Sequence, residues 1–124
     1  MSNKKAKPLA GRRLAQTIVA AAQDKLAEEI CVIDLRKVPA TADYFIVCQS
    51  PTTVQNRAIA DGIADACAKK HTRPWLTEGE QEGRWVLLDF SDVVVHVMLP
   101  DARTYYRLET LWPGGKPLDL TTGS

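Results

Sequence analysis

Only Ser91 and Asp92 separate two apolar runs, residues 85–90 (WVLLDF) and 93–98 (VVVHVM). Strand-forming runs joined by two residues have room for little but an antiparallel hairpin. Successive strand side chains point to opposite faces. Asp92, Val94, His96 and Met98 therefore share one face, and Val93, Val95 and Val97 take the other. The rest of the chain has to supply what covers both.

Upstream, Leu14, Ile18, Val19, Ala22 and Leu26 recur at helical spacing and predict an amphipathic helix over residues 11–27, closed by Glu28 and Glu29. The run from Ile30 to Leu35 is nearly continuous in apolar, β-branched residues, as a strand buried on both faces would be. Pro39 marks a connection, and a second buried strand follows at residues 44–48. Ser50-Pro51-Thr52-Thr53 supplies hydroxyls and a proline suited to a helix start. Val54, Ile59, Ile63, Ala66 and Cys67 are the expected apolar face of a helix over residues 53–70. Gly62 inside it costs about 1 kcal/mol relative to Ala, and close packing on the sheet is the expected reason. Residues 71–83 read as a polar connection. Pro100-Asp101 opens a final helix carrying Tyr105, Tyr106, Leu108, Leu111 and Trp112, ended by Pro113-Gly114-Gly115, with the last residues expected to lack structure. The order α-β-β-α-β-β-α predicts an α/β fold, a single mixed β-sheet flanked by helices. The expected organisation is a basic flexible arm at 1–10, one domain at 11–112 and a flexible tail at 113–124.

Charge is distributed unevenly. Of 16 Lys and Arg, five (Lys4, Lys5, Lys7, Arg12, Arg13) lie within residues 1–13, which hold no acid, leaving 11 bases against 15 acids. A basic arm on an acidic body suits an arm that touches RNA phosphate and a body that meets a basic protein. It equally suits a solubilising terminus. No apolar run reaches the roughly 18–20 residues that span a bilayer, and no signal-type segment opens the chain, so no membrane contact and a cytoplasmic location are expected. Cys31, Cys48 and Cys67 are odd in number and lack a CxxC pair, which fits buried thiols in a reducing compartment better than disulfides or zinc.

The motifs of small α/β enzymes are missing. Neither GxGxxG nor GxxxxGK[ST] occurs, and the junction Cys48-Gln49-Ser50-Pro51 has no glycine for close approach to phosphate. Asp89 and Asp92 are the nearest approach to a magnesium-holding carboxylate pair, three residues apart across the turn with no Gly-Ser loop before them. Asp92 is expected to stabilise the turn, and Asp89 to accept from Arg103 or from a cation on a partner. No cysteine has a local motif pairing it with His71 or His96. His96 interrupts the valines, either as a buried imidazole bonded to a neighbour or as a hydrogen-bonder at an interface. On the last helix Tyr105, Leu108 and Trp112 share a stripe, while Tyr106 lies off it beside Arg103 and Glu109. Arg103 and Glu109, six apart, are expected to have separate partners. Tyr, Trp and Arg in such density point to binding rather than catalysis. The candidate contacts are Trp85, Asp89, His96, Arg103, Tyr106, Leu108, Glu109, Leu111 and Trp112. No catalytic residue, metal ligand or cofactor is expected.

Over residues 11–112 the chain resembles the ribosomal silencing factor family, RsfS, also called Iojap-related. The resemblance rests on DKLAEEICVIDLRKV, ADYFIVCQS, TEGEQEGRWVLLD, SDVVVH and RTYYRLETLW in that order. Cys48-Gln49, Ser91 and Met98 depart from the residues frequent in the family. Ser91 replaces a common glycine and adds strain at the turn. The resemblance implies a nucleotidyltransferase-like fold without the catalytic carboxylates. It also implies binding to large-subunit ribosomal protein fourteen, steric blocking of small-subunit joining, and repression of translation when nutrients are scarce. An rRNA contact through the arm and a homodimer through an exposed strand edge are secondary expectations. The competing expectation is a nucleotide-binding or nucleotidyltransferase enzyme.

Overall fold

The structure, a computed structural model, describes residues 7–121. Helix α1 (Gly11–Asp24) leads to strands β1 (Glu28–Asp34) and β2 (Tyr44–Gln49), then helix α2 (Thr53–Ala68). Three strands follow, β3 (Leu76–Glu78), β4 (Trp85–Asp89) and β5 (Val93–Met98). Helix α3 (Pro100–Tyr106), a 3-10 turn (Leu108–Thr110) and strand β6 (Lys116–Leu118) complete it. The six strands form one mixed sheet in the order β3-β4-β5-β2-β1-β6. In it β2 and β5 run parallel, and the other neighbours are antiparallel. The predicted α/β architecture holds, with two short edge strands added.

Helices α1 and α2 cover one face. Leu14, Ile18 and Val19 of α1 and Ile59, Ile63 and Cys67 of α2 pack against Val86, Leu88, Val93, Val95, Val97, Tyr44, Ile46 and Cys48. The opposite face has a smaller core of Ile33, Leu35, Phe45, Val47, Met98, Ala102 and Leu108. The strand parity expected for β5 is observed, its odd-numbered valines in the first core and Met98 in the second.

Several local expectations give way. Helix α1 ends at Asp24, and Leu26 adopts φ +64° and stands 73% exposed instead of joining the apolar face. Glu28 and Glu29 belong to β1, with a register irregularity between Glu28 and Cys31. In α2, Val54 is 67% exposed and Asn56 takes the inward position. Asn56 is satisfied there by Ser50 Oγ, which donates to its Oδ1, and by the Gly83 carbonyl, which accepts from its Nδ2 at 2.8 Å. A Cβ on Gly62 would meet the Lys25 side chain at 2.8 Å, so its near neighbour is the end of α1 and not the sheet. The polar connection at 71–83 contains β3. Residues expected to be tail form β6 against β1, and Leu120 is buried. Pro117 is tolerated in β6 because an edge strand has one unpaired side.

Helix α1 has no capping side chain of its own; Ala10 stands at its N-cap. Asp92 supplies the missing acceptor from across the molecule, its Oδ2 taking the Gly11 N–H. A carboxylate at a helix start satisfies a free amide and complements the helix dipole. The Asp92 carbonyl also accepts from Asp43 and Tyr44, tying the hairpin turn to β2. The turn itself is held by Asp89, whose Oδ1 accepts from Ser91 N at 2.7 Å. Asp89 thus takes the turn role expected of Asp92, Asp92 serves the start of α1 instead, and Arg103 pairs with Glu109 and not with Asp89. Of the basic arm, Lys4 and Lys5 lie outside the described residues. Leu9 packs on the first core, and its N–H donates to Thr72 Oγ1 at 2.6 Å.

Candidate binding surface

The second sheet face is only partly covered. Trp85, Leu87 and Asp89 project from β4 on this side, beside Val94, His96 and Met98 of β5. Helix α3 and the 3-10 turn lie over the Met98 end. The Leu87–His96 end remains open as a recess of about 340 Å³ lined by Glu78, Gly79, Trp85, Leu87 and His96. Gly79 (φ +79°) is required there, because a Cβ would overlap the Trp85 carbonyl oxygen.

Trp85 organises the surface. Its Nε1 donates to His96 Nδ1 at 2.8 Å, and its ring packs against Tyr106 at a tilt of 46° with centroids 4.7 Å apart. Tyr105 meets Tyr106 edge-on at 4.9 Å and is 78% exposed, while Tyr106 is 49% exposed. Behind them Phe45 lies 4.8 Å from His96 and 4.5 Å from Trp112. Burial holds His96 neutral, its pKa pushed down to about 4, with Asp89 opposing the shift. Leu108 is buried in the second core, and Leu111 is exposed.

The last helix is shorter than the periodicity of its residues suggests. Arg107 takes φ +51°, ψ +50°, a left-handed C-cap that turns the chain after Tyr106. The stripe of Tyr105, Leu108 and Trp112 is thereby broken, leaving Tyr105 outward and Leu108 inward. The same turn brings Glu109 back onto Arg103, whose Nε donates to Glu109 Oε2 at 3.0 Å. The expectation of separate partners fails because it assumed one straight helix. Arg103 Nη1 also donates to the Glu29 carbonyl at 2.6 Å and to Gln49 Oε1 at 3.2 Å. It therefore clamps α3 to the ends of β1 and β2.

Of the expected contacts, Trp85, His96 and Tyr106 form one cluster. Trp112 and Leu108 back it through the second core, Arg103 and Glu109 pair beside it, and Asp89 sits at the far end of β4 holding the turn. Leu87, Glu78 and Gly79 carry no strong sequence signal of this role. Leu87 is within reach of parity, which places it with Trp85. Glu78 and Gly79 depend on β3, for which a three-residue strand leaves almost no periodic pattern.

Chemical reactivity is not concentrated here. Burial raises the thiol pKa of Cys48 to about 12 and of Cys67 to about 11; Cys31 is raised by burial and then by Glu109, with Arg103 opposing. A thiol held protonated is a poor nucleophile. Among the described residues no group of three or more His, Cys, Asp or Glu is placed to hold a metal, and no helix is long and apolar enough to cross a membrane.

A family model described as "Ribosomal silencing factor during starvation" matches residues 8–123. The chain is similar to the ribosomal silencing factor RsfS of Bacillus subtilis, 42% identical over 104 residues, covering 84% of this chain and 88% of that protein. It is 30% identical over 98 residues to the mouse protein named "Mitochondrial assembly of ribosomal large subunit protein 1", covering 77% of this chain and 43% of the mouse protein. A crystal structure of a Chromobacterium violaceum protein superposes with a TM-score of 0.81 at 30% identity, covering 93% of this chain and 95% of the other.

Proposed function

The chain belongs to the ribosomal silencing factor family, and from that premise we propose that it binds the large ribosomal subunit through the half-open sheet face. The observation that carries this reading is the family match over nearly the whole chain. The mouse relative's name refers to the same subunit. The geometry supplies a surface suited to docking a protein, with packed aromatics beside an open recess. Glu78 lines that recess, and Asp89 lies close enough to His96 to act on its charge. These two carboxylates complement a basic ribosomal protein. The proposed target is large-subunit ribosomal protein fourteen, and occupation of its surface would block small-subunit joining and lower translation in the cytoplasm when nutrients are scarce.

On this reading the protein acts by occupancy, without catalysis. Asp89 and Asp92 serve the turn and the start of α1 separately and do not converge on a common point. The basic residues of the N-terminus add at most an rRNA contact. A homodimer through an exposed strand edge would use β3 or β6, three-residue strands that offer few free amides.

Gradient sedimentation tests the reading. The protein at stoichiometric amounts should travel with purified large subunits and reduce the yield of joined ribosomes when small subunits are added. Association with small subunits alone, or magnesium-dependent nucleotide transfer lost in both Asp89→Asn and Asp92→Asn, would overturn it.

A further inference from the structure

The bond between Trp85 and His96 decides where the imidazole proton sits. An indole N–H only donates, so Nδ1, which accepts it at 2.8 Å, carries no proton. The neutral ring must then carry its proton on Nε2. Burial between Phe45 and Trp85 keeps the ring neutral at pH 7. Nε2 has no hydrogen-bond partner among the described residues, and His96 lines the open recess. The recess therefore combines apolar walls from Trp85 and Leu87, one N–H donor, and the exposed Glu78 carboxylate beside it.

We propose that His96 is a specificity-determining residue of this face, its Nε2–H donating to a neutral acceptor, such as a backbone carbonyl, on a protein loop that seats an apolar side chain against Trp85 and Leu87. The inference rests on the reading of this face as the large-subunit contact. Glu78 and Asp89 disfavour an anionic acceptor and favour a loop that also carries a Lys or Arg. A partner lacking the acceptor leaves a donor desolvated, which discriminates more strongly than a lost apolar contact.

Two amide variants separate the two nitrogens. Asn can place an oxygen where Nδ1 accepts from Trp85, and Gln can place an NH₂ where Nε2 donates. With purified large ribosomal subunits as the probe, His96→Asn should bind about tenfold more weakly, and His96→Gln should stay within about threefold of the parent. Equal binding by His96→Asn and the parent overturns the proposal. So does equal weakening of both variants, which marks a purely structural histidine. Thermal unfolding checks each variant, and nitrogen-15 NMR of the parent's imidazole tests the tautomer without any substitution. A proton found on Nδ1 at pH 7 overturns the proposal. If the parent itself fails to bind large subunits, the functional reading falls and takes this inference with it; differences among variants of a binding parent bear on His96 alone.

Discussion

The two faces of the sheet share the same strands but are finished differently. On one, two helices of 14 and 16 residues meet Val86, Leu88, Val93, Val95 and Val97 along their length. On the other, a seven-residue helix and a 3-10 turn cover only the Met98 end, leaving Trp85, Leu87 and His96 at an edge. The covered face accounts for most of the apolar burial and so for most of the stability. The uncovered half holds its side chains by tilted and edge-on ring contacts and hydrogen bonding, without burying them fully. A surface ordered before its partner arrives loses little entropy on binding. Stability and recognition are thus separated by face, and substitutions should sort accordingly.

The largest effect is expected on the covered face. Ile63→Ala, at a fully buried position, should lower unfolding free energy by about 3 kcal/mol in urea titration, while the folded fraction still binds large subunits normally. A parallel loss of affinity per folded molecule would break the division between faces. Next, Tyr106→Ala on the open side should weaken subunit binding by about 2 kcal/mol and shift stability by under about 1 kcal/mol. Deletion of residues 1–13 should cost less affinity, although it also removes the start of α1 and needs a folding check.

Acid exposes the connection between the faces. The folded-state pKa of His96, about 4, lies below its ordinary 6.5. The stability that a neutral His96 contributes is therefore fully present above about pH 6.5. As pH falls from there toward 4, the unfolded chain binds the proton first and stability drops, on the order of 1–2 kcal/mol by about pH 5. Chemical denaturation of His96→Gln across this range should show a flatter profile. Asp34, held down to about 2 by Arg36, contributes stability that is fully present above about pH 3.8 and is lost only as pH falls from there toward 2, so the two windows separate. The smallest effect is at the turn. Ser91 holds φ +82°, and Ser91→Gly should stabilise the protein by about 0.5–1 kcal/mol without altering binding.

How far the sequence reveals the fold depends on the length of each signal. The hairpin, the parity of β5 and the two long helices follow from patterns that repeat over many residues. Strands β3 and β6 do not, because three residues carry no period and their pairing is decided by the strand beside them. The break at Arg107 is hidden for a different reason. Arginine in a left-handed conformation carries no sequence signal of the kind glycine would give, so residues 100–112 read as one helix. That conceals the Arg103–Glu109 pair. The site is therefore legible as a set of residues but not as an arrangement. Trp85, Tyr106 and His96 stand out individually, whereas the bond joining Trp85 to His96 requires the register between β4 and β5.

Oxidative footprinting of the protein, free and bound to purified large ribosomal subunits, tests the central claim most directly. Side chains on the two faces report independently: Trp85, Tyr105, Tyr106 and Leu111 on one, Leu26 and Val54 on the helical side. Binding through the half-open face predicts protection of Trp85 and Tyr106, with Leu26 and Val54 as reactive as in the free protein. Protection of Leu26 and Val54 with Trp85 and Tyr106 unchanged would contradict it.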